Sequence, residues 1–211
     1  MWIDTIQNSQ DWFNLRMDKV TSSNFAKIMA HENKGKFGDP AERYAKEIAA
    51  NIVTGKIEEK DSYNSQFMKD GHEYEPVAIR HYERDKFCAT TNGGFFYSED
   101  GRFGDSPDFN VGINNEGCGE VKCVIRTTQI DRIDAGGYDT AYRWQYQGHI
   151  WLGEKKYCDF VQFCHSMPDN AKLYVYRIHR DEDMIKRLET RLNEFWLLVE
   201  KNVKLINDYK L

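Results

Sequence analysis

The hydrophobic period of this chain changes at Cys88, and that change limits the folds open to it. Before Cys88, apolar residues recur at helical spacing. After it come short β-prone segments parted by Gly, Asn and Asp. Ser9 can cap a helix from Gln10 to Arg16, and Thr21 or Ser22 a second reaching Ala30. Pro40 opens a third helix, closed by Gly55. Residues 64–86 read as a longer helix, with Phe67, Gly71, Tyr74, Ala78 and Tyr82 three or four apart. Strands are expected at 94–98, 102–105, 109–113 and 119–125. A helix over 139–152 and strands at 157–165 and 172–179 follow. Asp181 caps a last helix with Leu188, Leu192, Phe195, Val199, Val203 and Ile206 on one face. This order makes a mixed α/β fold with a central sheet. The 211 residues suit a single domain, 1–211, with no repeat or Pro-rich linker.

Charge at first argues against a nucleic-acid partner: 29 Lys+Arg against 34 Asp+Glu leave a net charge of −5. No apolar run approaches the roughly 18 residues of a membrane span. The start Met1-Trp2-Ile3-Asp4 lacks the basic-then-apolar pattern of a secretory signal. Five cysteines, with no C-x-x-C pair, read as reduced thiols in a cytosol.

The chemistry concentrates in Ser106-Pro107-Asp108 and Glu120-Val121-Lys122. Eleven residues separate Asp108 from Glu120, which fits a hairpin that sets the two carboxylates side by side. Glu120 and Lys122 share a strand face, while Val121 turns to the core. Asp108, Glu120 and the Val121 carbonyl form an oxygen set suited to Mg²⁺, and Mn²⁺ would suit the same ligands. Lys122 can orient or help deprotonate an attacking water and offset transition-state charge. Glu75 shares a helix face with Gly71, Ala78, Ile79 and Tyr82. It either reaches water at the stripe's edge or completes the metal shell, with His72 as second choice.

With these motifs in order, the sequence resembles the PD-(D/E)xK nucleases, and more narrowly the lambda-exonuclease and YqaJ-like viral recombinase family. The carrying residues are Trp12–Arg16 with Val20–Ser23, Gly71–Glu75, Ser106–Asp108, Glu120–Lys122 and the helix Tyr142–Trp151 with Gln145 at the active-site position. The likeness spans roughly residues 8–170. It implies a restriction-endonuclease-like core, a central mixed β-sheet flanked by helices. It also implies a Mg²⁺-dependent 5′→3′ exonuclease, with two ions, that acts on double-stranded DNA ends and leaves a 3′ overhang. A homotrimeric ring, a single-strand annealing partner and a phage or prophage origin in a bacterial cytoplasm come with it. Lys122, Glu75 and Gln145 would serve catalysis. Arg16, Ser23 and Ser106 would contact the 5′-phosphate, and Met68 would stand where the family has an apolar wedge. Lys34 and Lys36 would track DNA phosphates, although Asn33 replaces one expected basic residue, and Arg126 would reach toward the groove. The nearest alternatives are an endonuclease or a helicase-associated nuclease of the same superfamily, then a non-catalytic DNA-end binding module. On this reading the acidic excess belongs at the metal and on the outer surface, with the basic groups lining a channel.

Overall fold

The computed structural model describes the backbone of residues 1–57 and 66–210, and the side chains there except those of 66–72. Seven α-helices are described: α1 Gln10–Arg16, α2 Phe25–Met29, α3 Asp39–Thr54, α4 Gln66–Lys86, α5 Arg126–Ala135, α6 Arg143–Leu152 and α7 Glu182–Asp208. The strands are β1 Trp2–Ile3, β2 Val20–Thr21, β3 Thr90–Asn92, β4 Phe95–Tyr97, β5 Phe103–Asp105, β6 Phe109–Val111, β7 Gly117–Cys123, β8 Tyr157–Phe163 and β9 Leu173–His179.

The helix starts follow their capping chemistry. Ser9 accepts from the Trp12 amide and Asp181 from the Met184 amide, satisfying donors that a helix start leaves open. Gly55 closes α3 in the left-handed conformation. The acids Glu182 and Asp183 sit in the first turn of α7, where the helix dipole favours them.

The central sheet is five-stranded, in the order β3-β6-β7-β8-β9. Only β7 and β8 run parallel, in register from Gly117↔Tyr157 to Cys123↔Phe163. Helices cover both faces, so β7 and β8 carry apolar residues on each side. On one face Ala78 and Tyr82 of α4 pack with Phe109, Val121, Val161 and Phe163. On the other, Tyr146 and Ile150 of α6 and Ile185 of α7 pack with Cys118, Cys158 and Phe160. The period of two on β7 therefore sends Val121 toward α4 and Glu120 toward α6. The buried Asp159 is held by Arg177 through two bonds of 2.8 Å and by the Tyr82 hydroxyl at 2.6 Å. A charge removed from water needs such partners.

A second, four-stranded sheet, β1-β4-β5-β2, lies outside the sequence expectation. Its edge strands β1 and β2 are two residues long, too short for any periodic signal. Helix α5 is likewise unforeseen. Among its residues only Gln129 is buried, while Ile130 and Ile133 are exposed, so no apolar stripe marks it. The expected helix from Thr21 or Ser22 is instead the strand β2, a 3-10 turn at Ser22–Asn24 and the short α2. The expected helix over 139–152 starts as a 3-10 turn at Thr140–Tyr142. Helix α4 continues through Pro76. Among the described residues, no helix is long and apolar enough to cross a membrane.

Candidate functional site

The β6–β7 hairpin brings the expected carboxylates together. The Asp108 amide donates to the Gly119 carbonyl at 3.0 Å, and Asp108 Oδ2 accepts from the Val121 amide at 2.6 Å. Gln7 Nε2 donates to Oδ1 at 3.3 Å. Burial, then Glu120, then Glu75 on α4 hold the Asp108 carboxyl well above its usual range, with the Val121 amide and Lys122 opposing.

Glu120 is 6% exposed and is the hub of the site. Its Oε1 accepts from Lys122 Nζ at 2.7 Å and from Gln145 Nε2 at 2.8 Å. Burial alone would raise its pKa. Lys122 and His149 outweigh burial and bring it down to about 2. Burial likewise works against the Lys122 charge, but Glu120 and then Asp108 overcome it and raise the lysine above its ordinary value. Lys122 also stands 4.8 Å from the centre of the Tyr142 ring. The pair thus favours the charged form of the lysine, which suits the water-orienting and charge-offsetting parts of its expected role.

Behind Glu120 lies a group the sequence reading left unassigned. His149 Nε2 is 3.2 Å from Glu120 Oε2, within ion-pair range but without hydrogen-bond alignment. Its Nδ1 is 2.7 Å from Asp105 Oδ1, which also accepts from the Ser22 hydroxyl. Burial lowers the His149 pKa, yet Asp105 and Glu120 carry it well above the usual histidine value. His149 is four residues beyond Gln145, so both meet Glu120 from one face of α6. That spacing was the available signal. Asp105 carries no local mark, since its partners lie on other elements.

A divalent cation fits this donor set. The half-buried Asp108 and the buried Glu120 each disfavour the other's charge, and a cation relieves that repulsion. Among the described residues no group of three or more His, Cys, Asp and Glu converges to hold a metal. Mg²⁺ commonly takes one or two carboxylates and keeps water or phosphate oxygens as its other ligands, and Asp108 and Glu120 are such a pair.

A second cluster gathers the residues expected at the 5′-phosphate. The Arg16 guanidinium lies 4.1 Å from the Trp12 ring centre, and its Nη2 is 3.4 Å from both Thr21 Oγ1 and Ser23 Oγ. Burial lowers the Arg16 pKa, while Tyr44, Asp105 and Glu120 support its charge. Trp12 Nε1 donates to Ser106 Oγ at 2.9 Å, and that hydroxyl donates onward to the Gly94 carbonyl at 2.8 Å. Trp12 thus joins Arg16 to Ser106. Lys34 and Lys36 lie apart from this cluster on an exposed loop, tied to α7 by Arg191 through the Lys36 carbonyl. Arg126 opens α5, where its Nε is 3.2 Å from Ser166 Oγ. There it lines a pocket of about 420 Å³ with Tyr74 and His165, whose rings stack at 4.1 Å. Met68 and His72 sit on α4, but their side chains lie outside the described residues.

A mixed sheet with an aspartate entering a hairpin, Glu-x-Lys on the next strand and helices on both faces defines the restriction-endonuclease-like class of fold. Within that class the match is narrower. The model of the YqaJ-like viral recombinase domain matches residues 11–156, and the chain belongs to that family. Among solved structures it is similar to an alkaline exonuclease, LHK-Exo, from Laribacter hongkongensis, at 28% identity and a TM-score of 0.83 over 94% of this chain and 96% of that one. The same protein in complex with dAMP matches equally well. A phage-related exonuclease from Haemophilus somnus 129PT shares the fold, at 17% identity and a TM-score of 0.68 over 92% of this chain and 98% of that one. No curated protein matches the sequence significantly.

Proposed function

We propose that the protein is a nuclease acting on DNA: a metal-dependent 5′→3′ exonuclease that degrades one strand from the ends of linear duplex and leaves a 3′ overhang. The observation that carries the reading is the Glu120 hub, where Lys122 and Gln145 converge on a buried carboxylate beside Asp108. The family and the likeness to alkaline exonuclease support it.

In this reading Asp108, Glu120 and the Val121 carbonyl would hold Mg²⁺, with the charge of Glu75 on α4 acting on Asp108. Bound metal supplies Lewis acidity and lowers the pKa of a water at the scissile phosphate. Lys122, protonated, faces that phosphate and offsets the charge gathering on it. Gln145 fixes Glu120 and keeps its second amide hydrogen for a water or phosphate oxygen. Arg16 and Ser23 receive the terminal 5′-phosphate, and a guanidinium with hydroxyls is apt for it. Ser106 acts there by fixing Trp12, because its own hydroxyl proton is committed to Gly94. A homotrimeric ring around the duplex and delivery of the overhang to a single-strand annealing protein complete the proposal.

The test is digestion of 5′-phosphorylated linear duplex carrying a different label on each strand, with Mg²⁺ or EDTA. Loss of the 5′ label first, survival of the complementary strand and sparing of closed circles support the reading. Rapid cutting of closed circles assigns the site to an endonuclease instead. Light scattering on the same sample reports whether the species is a trimer.

A further inference from the structure

A carboxylate offers about four acceptor positions, two on each oxygen. On Glu120, Lys122 and Gln145 take both positions of Oε1, at 2.7 and 2.8 Å. His149 Nε2 stands 3.2 Å from Oε2. That ion-pair contact crowds one side of Oε2 and leaves its other side open. His149 is not free to turn away, because its Nδ1 is fixed by Asp105 at 2.7 Å and both residues are wholly buried. Asp105 Oδ2 has no hydrogen-bond partner. A buried ion pair with an unsatisfied oxygen is a poor way to gain stability, so packing gives little reason for its presence. The chain of contacts also starts at Ser22, beside Ser23, and passes through Asp105, beside Ser106.

We propose that His149, anchored by Asp105, is a positioning residue that closes one side of Glu120 Oε2 and leaves the other side of that oxygen open to a divalent cation. Glu120 would then bind through one oxygen, and the other ligands would be Asp108, the Val121 carbonyl and solvent. The inference rests on the reading of Asp108 and Glu120 as the metal pair. Removing an outer partner of a metal ligand commonly weakens metal binding about 10- to 100-fold.

The test measures Mn²⁺ binding to the full chain by calorimetry without DNA. The Mg²⁺ concentration for half-maximal duplex digestion and the melting temperature in EDTA are read beside it. His149→Ala is expected to weaken Mn²⁺ binding about 10- to 100-fold and to raise the Mg²⁺ requirement in step. The rate at saturating Mg²⁺ is expected to recover most of its parent value. His149→Gln keeps an amide donor on α6 and is expected to restore much of the affinity. Asp105→Asn, a near-isosteric second variant, answers the question if loss of the ring unfolds the chain; it should weaken Mn²⁺ binding in the same direction. A lowered melting temperature with parent-like Mn²⁺ affinity in the folded variants overturns the inference. If the parent chain binds no Mn²⁺, the metal pair itself falls with it.

Discussion

Gly119 is where β7 has least room, and Gly119→Ala is the sharpest test of the hairpin. A Cβ there would stand 2.0 Å from Phe109 Cζ and 2.5 and 2.6 Å from two further atoms of that ring. Phe109 is 1% exposed, packs against Tyr82 at 4.9 Å and pairs with Gly119 across the strands, so the ring has nowhere to go. Overpacking of this kind costs about 1–3 kcal/mol. In a chain of this size each kcal/mol moves the melting temperature about 2–4 °C, so a fall of about 2–12 °C is expected. The Gly119 carbonyl also accepts the Asp108 amide. Relief of the clash therefore displaces Asp108 relative to Glu120, and duplex digestion should fall further than stability explains. Phe109→Ala alone should destabilise by about 3–5 kcal/mol. Combined with Gly119→Ala, it should yield a favourable coupling of about 1–3 kcal/mol, because the methyl then fills part of the vacated ring space. Melting curves of the four proteins give this number directly. A Gly119→Ala chain that melts with the parent, or a strictly additive double variant, refutes the close-approach argument.

Burial, Glu120 and Glu75 raise the Asp108 pKa above its ordinary 3.8, so its ionised form opposes folding. That penalty is absent below pH 3.8 and grows as pH rises toward the folded value. Asp108→Asn, which can still accept from the Val121 amide, should melt higher than the parent in EDTA at neutral pH; a lower melting temperature there would contradict the electrostatic reading. Asp108→Ala and Lys122→Ala should each abolish cleavage of linear duplex while the fold survives by circular dichroism, and a parent-like rate in either removes the site assignment. Arg16→Ala should cut the rate ratio between 5′-phosphorylated and 5′-hydroxyl ends about 10- to 100-fold, from the loss of a charge-assisted contact of about 1.5–3 kcal/mol. An unchanged ratio would detach Arg16 from end recognition.

Much of the site was legible because its parts are close in sequence. Asp108 and Glu120 belong to one hairpin, Glu120 and Lys122 to one strand, and period-two alternation suffices to place them. The long elements α3, α4, α7, β8 and β9 were legible for a similar reason: caps and apolar stripes are local signals. What stayed hidden depends on distant partners. Strands β1 and β2 exist only through pairing with β4 and β5. Asp105 matters only because His149, 44 positions away, and Ser22, 83 positions away, meet it. Helix α5 lacks both a side-chain cap and a buried apolar face, so neither signal on which such a reading relies was present.

The contacts from Ser22 through Asp105 and His149 to Glu120 run from one sheet to the other. Asp105 ends β5 of the four-stranded sheet, and Glu120 lies on β7 of the five-stranded one. Hinging or sliding of the two sheets would pull these charged groups apart inside the protein, where no solvent can replace the lost partner. The contact therefore ties the two sheets together through the interior of the molecule. Helix α1 is tied to the same frame, because Trp12 bonds Ser106 just past the end of β5 and Arg16 reaches Thr21 of β2.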